Sequence, residues 1–270
     1  MKVAFQGERG AYSESAVFQF FGNGVEATPC KEFKEVFESV VAQKTEFGVI
    51  PVENSLEGSV TQNYDLFLNY CLKVRGEEIV KVEHCLIANP GTKLADIKVV
   101  YSHPQALAQC RNFLEELERE LVPTYDTAGS VKMIKEKHLR DAAAIASQRA
   151  ADIYGMHIIE KDIADNPENY TRFFVLGEED AKATGKDKTS IIFGAAHKPG
   201  SLYQALREFA TRNINLTKIE SRPTKQTPWE YNFYLDFEGH RTEQRCADAL
   251  KALEKHAAFI KVLGSYPKAK

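Results

Sequence analysis

Hydroxyl and amide side chains gather at the turns between apolar runs: Gly10-Ala11-Tyr12-Ser13, Asn54-Ser55, Ser102-His103, Thr127-Ala128-Gly129 and Ser147. The carboxyl ends of strands in an open α/β sheet border a crevice. Helix N-termini there offer unbonded N–H groups and the positive end of a dipole. Turns of this kind, converging from two lobes, would bind a small anion. Taken singly, each Ser or Asn does no more than cap its own helix. Taken as four or five together, they favour the crevice. Thr171-Arg172-Phe173 places a hydroxyl, a cation and an aromatic ring at the mouth of a strand. Arg172 suits a two-pronged grip on a carboxylate, although a surface salt bridge is the plainer use of a lone arginine. His103 stands nearest the candidate site, but a packed or exposed histidine is the commoner case.

Other catalytic patterns are missing. Gly7-x-x-Gly10 lacks the third glycine of a dinucleotide fingerprint and the Gly-Lys-Ser/Thr ending of a phosphate loop. No G-x-S-x-G elbow and no H-E-x-x-H occurs. Cys30, Cys71, Cys85, Cys110 and Cys246 are widely spaced and form no C-x-x-C, so neither disulfides nor a zinc site are expected. A reducing compartment fits them.

The elements that must position these residues alternate. Val3 to Phe5 reads as a strand. Ser13 then caps a helix carrying Ala16, Val17, Phe20 and Phe21, and a second helix carries Phe33, Val36, Phe37, Val40 and Val41. Phe47 to Val52, Ile79 to Ala88, Ile97 to Tyr101, Leu121 to Tyr125, Ala142 to Ala146 and Arg172 to Leu176 read as strands. Pro104 opens a helix running past Leu114 and Leu117. Alternation of this kind implies an α/β architecture with mainly parallel sheets. A polar linker starts at Glu178. Beyond it the order becomes strand (Ser190 to Ala195), helix, two strands, helix, strand: the ferredoxin-like βαββαβ pattern.

With 270 residues, 43% hydrophobic and 27% charged, the chain can bury a sizeable core. A formal net charge of -3 argues against an electrostatic grip on nucleic acid. The opening MKVAFQGERGAYS is broken by charges, and no membrane-length apolar run follows. The expectation is a cytoplasmic protein with no membrane partner.

GERGAYS, PVENSLEGSV, YSHPQALAQC, DTAGSV, AAIAS and NYTRFFVL resemble, in this order, blocks of the prephenate dehydratase family. GSLYQAL and ESRP resemble the phenylalanine-binding motifs of its ACT domain. The resemblance covers essentially the whole chain, with one departure: the usual G-A-L-V/F motif reads Gly200-Ser201-Leu202-Tyr203. It implies a periplasmic-binding-protein-like pair of α/β lobes over residues 1–180, one lobe from 1–75 with 171–180 and the other from 76–170. An ACT domain at 187–270 would pair with another subunit in a homodimer or homotetramer.

The implied reaction is the decarboxylating dehydration of prephenate to phenylpyruvate, with L-phenylalanine as feedback effector. Its bond changes need no metal or redox cofactor. Thr171 would act at the departing hydroxyl, Arg172 would hold a substrate carboxylate, and Phe173 would shield the ring. Asn54, Ser55, Ser102 and Gln109 match further polar site positions, while Gly10, Ala11, Tyr12, Ser13, Glu53 and Thr127 would border the substrate. Glu53 has a structural alternative, since a carboxylate repels a dianion unless paired. In the ACT region, Gly200, Ser201, Leu202, Tyr203, Asn213, Asn215, Leu216, Glu220, Ser221, Arg222 and Pro223 would form the effector site. Pro223 would end the strand ladder there. An arogenate dehydratase and a non-catalytic amino-acid sensor are the alternatives.

Overall fold

The computed structural model describes residues 1–196, 198–224 and 229–269. It divides into two compact units, one of residues 1–63 and 78–173, the other of 64–77 and 174–270. Both boundaries beyond Asn63 fall inside strands, so these units do not follow the chain order of the expected domains.

The first unit opens with β1 (Lys2–Gln6), α1 (Tyr12–Phe21), β2 (Glu26–Cys30), α2 (Phe33–Val41), β3 (Phe47–Asn54) and the short β4 (Gly58–Ser59). Next come α3 (Thr61–Asn69) and β5 (Lys73–Lys81). Val3, Ala4 and Phe5 are buried between the helices because β1 is covered on both faces, the usual condition of a parallel strand. β1 runs parallel to β2 and β3. The Val36, Phe37 and Val40 face of α2 is buried as its spacing predicts.

The chain then forms a second sheet. Its elements are β6 (Cys85–Ala88), β7 (Val99–Ser102), α4 (Pro104–Gln109), α5 (Arg111–Leu117), β8 (Glu120–Pro123), α6 (Thr127–Glu136), β9 (Ala142–Ala146), α7 (Gln148–Tyr154) and β10 (His157–Glu160). Strand order is β10-β6-β9-β7-β8. β7 is parallel to β8 and β9, but β6 is antiparallel to β9 and β10. The chain returns to the first sheet in β11 (Tyr170–Gly177), giving the order β2-β1-β3-β11-β5.

Several local expectations change. Ile79 to Ala88 is two strands, because Val82, Glu83 and His84 leave the ladder where the chain passes from one sheet to the other. The helix after Pro104 breaks at Cys110, whose φ of -117° is not helical. Ser13 does not cap α1: Ala11 holds the N-cap and Ser13 lies inside the first turn. β2 is a strand the sequence does not announce, because it is half-buried and contains Pro29. The edge strand β10 is equally unannounced.

The second unit contains β12 (Asp187–Ala195), α8 (Ser201–Ala210), β13 (Leu216–Pro223), β14 (Tyr231–Glu238), α9 (Gln244–Leu253) and β15 (Ala257–Pro267). They form the expected βαββαβ arrangement, with an antiparallel sheet ordered β13-β14-β12-β15. Ile191, Phe193, Phe209, Leu235, Phe237 and Leu253 centre its core. Tyr64 packs edge-on to Tyr234, and Lys188 Nζ meets Glu77 at 2.9 Å where the glutamate side chain is fully buried. Pro223 does not end the ladder. It pairs with Tyr231, and Thr224 N donates to Glu230 O at 2.9 Å. Proline lacks only its own N–H, so an edge strand tolerates it where no bond is asked of that nitrogen.

Among the described residues, no helix is long and apolar enough to cross a membrane.

Candidate active site

A cavity of about 630 Å³ lies in the first unit, bordered by elements of both sheets. Ala11, Tyr12 and Ser13 bring the start of α1 to it, and Lys31, Glu32 and Phe33 the start of α2. Tyr125, Asp126 and Thr127 bring the start of α6. Asn54 stands at the end of β3, and Thr171 and Phe173 project from β11. Val60 and Gln62 at the start of α3, and His103 and Gln105 at the start of α4, border it too, so five helix N-termini converge on one hollow, the arrangement suited to an anion. They are not equivalent. Asp126 Oδ1 accepts from Gly129 N at 2.6 Å, so that acid already serves its own helix. Glu32 is likewise engaged in a capping box with Glu35. α1 has alanine at its N-cap and no side-chain cap, which leaves its first-turn N–H groups to the cavity.

Asn54 organises the reactive wall. Its Oδ1 accepts from Leu56 N and Glu57 N, both at 3.0 Å. The amide nitrogen then faces the other way, and its two hydrogens are divided among Asn169 Oδ1 at 2.7 Å, Tyr170 O at 3.1 Å and Thr171 Oγ1 at 3.0 Å. Thr171 Oγ1 accepts there and Thr171 lines the cavity, so the hydroxyl can rotate its own hydrogen toward a bound ligand.

Successive side chains of a strand face opposite ways. Thr171 and Phe173 border the hollow, whereas Arg172 lies behind it and pairs with Glu53 at 3.4 Å. Neither Arg172 nor Glu53 borders the cavity, which corrects the expectation for both. Lys31 supplies a lining cation instead. It follows β2, so missing that strand hid it; a parallel strand beside β1 would have directed attention to the residue after its carboxyl end.

Four other expected site residues also lie elsewhere. Ser102 is fully buried and donates to Ile145 O at 2.6 Å, inside its own sheet. Ser55 clasps the chain before β11, donating to Glu168 O and accepting from Tyr170 N. Gln109 sits behind the wall, its Oε1 accepting from Asn169 Nδ2 at 2.9 Å. Gly10 packs on α7. Its φ is +90°, and a Cβ there would come within 2.7 Å of Ala150 Cα. Ser147 caps α7 and also donates to Gly10 O at 2.7 Å, while Arg149 pairs with the buried Glu14. The GERGAYS turn thus joins the two sheets as well as opening α1.

The titratable groups nearby follow their surroundings. Burial pushes the Asp126 carboxyl up, partly opposed by the Gly129 N–H. Burial pulls His103 down against the attraction of Asp126, and its Nδ1 accepts from Gln105 N, so the neutral ring carries its hydrogen on Nε2. Gln6, Pro51, Val60, Gln62 and Gln105 also line the hollow, and no motif marked them in the sequence. Among the described residues, no cluster of His, Cys, Asp and Glu could hold a metal.

In the second unit, Ser201 and Leu202 line a separate cavity of about 400 Å³, with Ala195, Lys198, Tyr231 and Phe233. Gly200 caps α8 with φ +83°. Tyr203 does not line the cavity and is 65% exposed. Glu220, Ser221, Arg222 and Pro223 occupy the end of β13 that pairs with Asn232 and Tyr231, near this cavity. Glu220 pairs with Lys218, and Arg222 with Asp65 at 3.6 Å. Asn213, Asn215 and Leu216 lie at the other end of β13. An eight-residue strand spans roughly 25 Å, which separates them from this cavity within one chain. Asn215 instead donates to Glu238 there.

Residues 3–181 match the model of the prephenate dehydratase family and residues 189–255 that of the ACT domain. The chain is 47% identical to arogenate dehydratase/prephenate dehydratase 2 of Arabidopsis thaliana, over 99% of this chain and 73% of that protein. It is 42% identical to the bifunctional chorismate mutase/prephenate dehydratase of Aquifex aeolicus, over 100% of this chain and 74% of that one. Among solved structures, a prephenate dehydratase of Arthrobacter aurescens in complex with L-Phe superposes with a TM-score of 0.91 at 34% identity, over 99% of this chain and 90% of that one. A quorum-quenching acylase, GqqA, superposes with a TM-score of 0.90, also at 34% identity, over 99% and 98%. One fold thus serves more than one named activity, and the site must decide function. Matched over residues 3–181, and carrying the ACT domain after them, this chain belongs to the prephenate dehydratase family.

Proposed function

We propose that the protein converts prephenate to phenylpyruvate, water and CO2, and that L-phenylalanine acting at the ACT domain inhibits it. The observation that carries this reading is the hydrogen bond from Asn54 Nδ2 to Thr171 Oγ1, which uses that oxygen as an acceptor and leaves the hydroxyl hydrogen to a group bound in the cavity that Thr171 lines. Prephenate loses a ring carboxylate as CO2 while its C4 hydroxyl departs; the ring becomes aromatic, which supplies the drive. Hydroxide is a poor leaving group, so a donor at that oxygen is the term an enzyme must add. Thr171 supplies it as a hydrogen bond that it keeps, and a single proton, drawn from solvent, converts the departing hydroxide to water. Positioned donors of this kind contribute ~10²–10³ in turnover. Lys31 and the uncapped start of α1 face the dianion, and Phe173 walls off the ring. The Glu53–Arg172 pair behind Thr171 holds the strand rather than the substrate.

The cavity at Ser201 and Leu202, with the Glu220–Pro223 end of β13, is the proposed effector site. Pairing of ACT domains into a dimer or a dimer of dimers, and a cytoplasmic location, complete the proposal. Five free cysteines suit a reducing compartment.

The test is the appearance of phenylpyruvate from prephenate, with and without L-phenylalanine. Arogenate, assayed in parallel by kcat/KM, decides between the two substrates. Binding of prephenate without product would leave only the sensor reading. Equal rates with and without millimolar L-phenylalanine would overturn feedback control.

A further inference from the structure

His84 sits where the chain passes from β5 to β6, is 2% exposed, and forms the far end of a hydrogen-bond chain that begins at the reactive wall. The direction of that chain is fixed by groups that cannot be reversed. The Leu56 and Glu57 backbone N–H groups can only donate, so the Asn54 atom they meet is its oxygen and the opposite atom its nitrogen. That nitrogen must meet an oxygen of Asn169, at 2.7 Å. Asn169 therefore turns its own nitrogen to Gln109, whose oxygen accepts it at 2.9 Å. The same Gln109 oxygen lies 3.0 Å from His84 Nε2, which must then carry a hydrogen. His84 Nδ1 is left as an acceptor, 3.1 Å from the Tyr12 hydroxyl, whose hydrogen it shares with Glu83 O at 2.6 Å. Amide orientation is settled by such networks. Here the backbone N–H groups of Leu56 and Glu57 pin one end, and the Nε2–H of His84 follows from them at the other. Turning any one amide would set two N–H groups face to face.

We propose that His84 is a positioning residue: held as the Nε2–H tautomer, it locks Gln109 and Asn169 and so aims the Asn54 amide at the Thr171 hydroxyl. The inference rests on Thr171 being the group that acts at the departing oxygen. His84 does not line the cavity itself; its ring meets Tyr12, which does, and Gln109, and these two belong to α1 and α4, on different sheets. It therefore ties the aim of the reactive hydroxyl to the seating of one sheet against the other. A loss of aim without loss of the binding groups lowers kcat more than it raises KM, and small misplacements cost up to about a hundredfold.

The experiment compares the full-length protein with His84→Gln, His84→Asn and Thr171→Ala, using prephenate turnover and, for the wild type, ¹⁵N NMR of the histidine ring. Glutamine can present an N–H where Nε2 stood; the shorter asparagine reaches only the Nδ1 position. The expected results are an Nε2–H tautomer, His84→Gln within about threefold of wild-type kcat, and His84→Asn lower by about tenfold to a hundredfold with KM changed less than threefold. An Nδ1–H tautomer, or an asparagine variant as fast as the glutamine variant, overturns the proposal. The tautomer is read on unmodified protein, so a variant that fails to fold does not protect the idea. Full turnover by Thr171→Ala would sink the reading of Thr171 while leaving the His84 tautomer to be judged by NMR.

Discussion

The side-chain amide of Asn54 donates to the hydroxyl of Thr171 across a separation of 117 residues, at 3.0 Å. Two backbone N–H groups hold the other side of the same amide. Replacing Asn54 by Asp substitutes an acceptor for the donor and removes the aim without removing volume. Asn54→Asp and Thr171→Ala are each expected to lower kcat by ~10²–10³ while the folded structure persists. Phenylpyruvate formation reports the rate and circular dichroism the fold. Near wild-type turnover by either variant contradicts the arrangement.

Gly10→Ala tests the join between the sheets. The backbone there is left-handed, and the added carbon meets Ala150 backbone at 2.7 Å. Strain and overpacking together should cost roughly 2–4 kcal/mol. Thermal unfolding should show a drop in Tm; an unchanged Tm would mean that α7 moves aside freely.

The buried Lys188–Glu77 pair makes an asymmetric prediction. Glu77→Ala strands a buried ammonium and should destabilise by about 3–5 kcal/mol. The double variant Glu77→Leu with Lys188→Met removes both charges and should recover most of that loss. Denaturant midpoints measure both. Equal losses in the single and double variants would contradict the charge argument.

Acid should weaken the fold partly through His84. Burial holds its folded-state pKa below the ordinary value, with the Gln109 hydrogen bond opposing. The unfolded chain takes up a proton near pH 6.5, whereas the folded one does so only at lower pH. Its contribution is therefore intact above about pH 6.5 and is lost as pH falls through the folded pKa. His103 is shifted the same way and adds to the slope. His84→Gln should flatten the fall in stability between pH 7 and 5, leaving the share due to His103. An identical slope would show that His84 does not titrate in that window.

For the effector, Tyr203 and Ser201 should behave differently although both depart from the family motif. Ser201 lines the cavity, whereas Tyr203 is exposed and does not. Calorimetric titration with L-phenylalanine should change on Ser201→Ala and stay within about twofold, ~0.4 kcal/mol, on Tyr203→Val. A larger effect at Tyr203 would place the ligand outside this cavity.

The alternation of apolar runs and turns, by itself, determined the α/β region and the βαββαβ domain after it, because periodicity reports which faces are buried. It also marked Ala11, Tyr12, Ser13, Asn54, Thr127, Thr171 and Phe173, all of which border the hollow. Only tertiary structure decided that Arg172 turns away while its neighbours turn inward, since that depends on which face of β11 meets the cavity. The same holds for Ser102, whose hydroxyl is spent on Ile145 O, and for Gly10, needed for contact with α7. Lys31 was hidden because β2 lacks a strong strand pattern. Hydrogen bonds between residues more than a hundred positions apart are fixed by how sheets and loops pack, and local sequence carries no record of them.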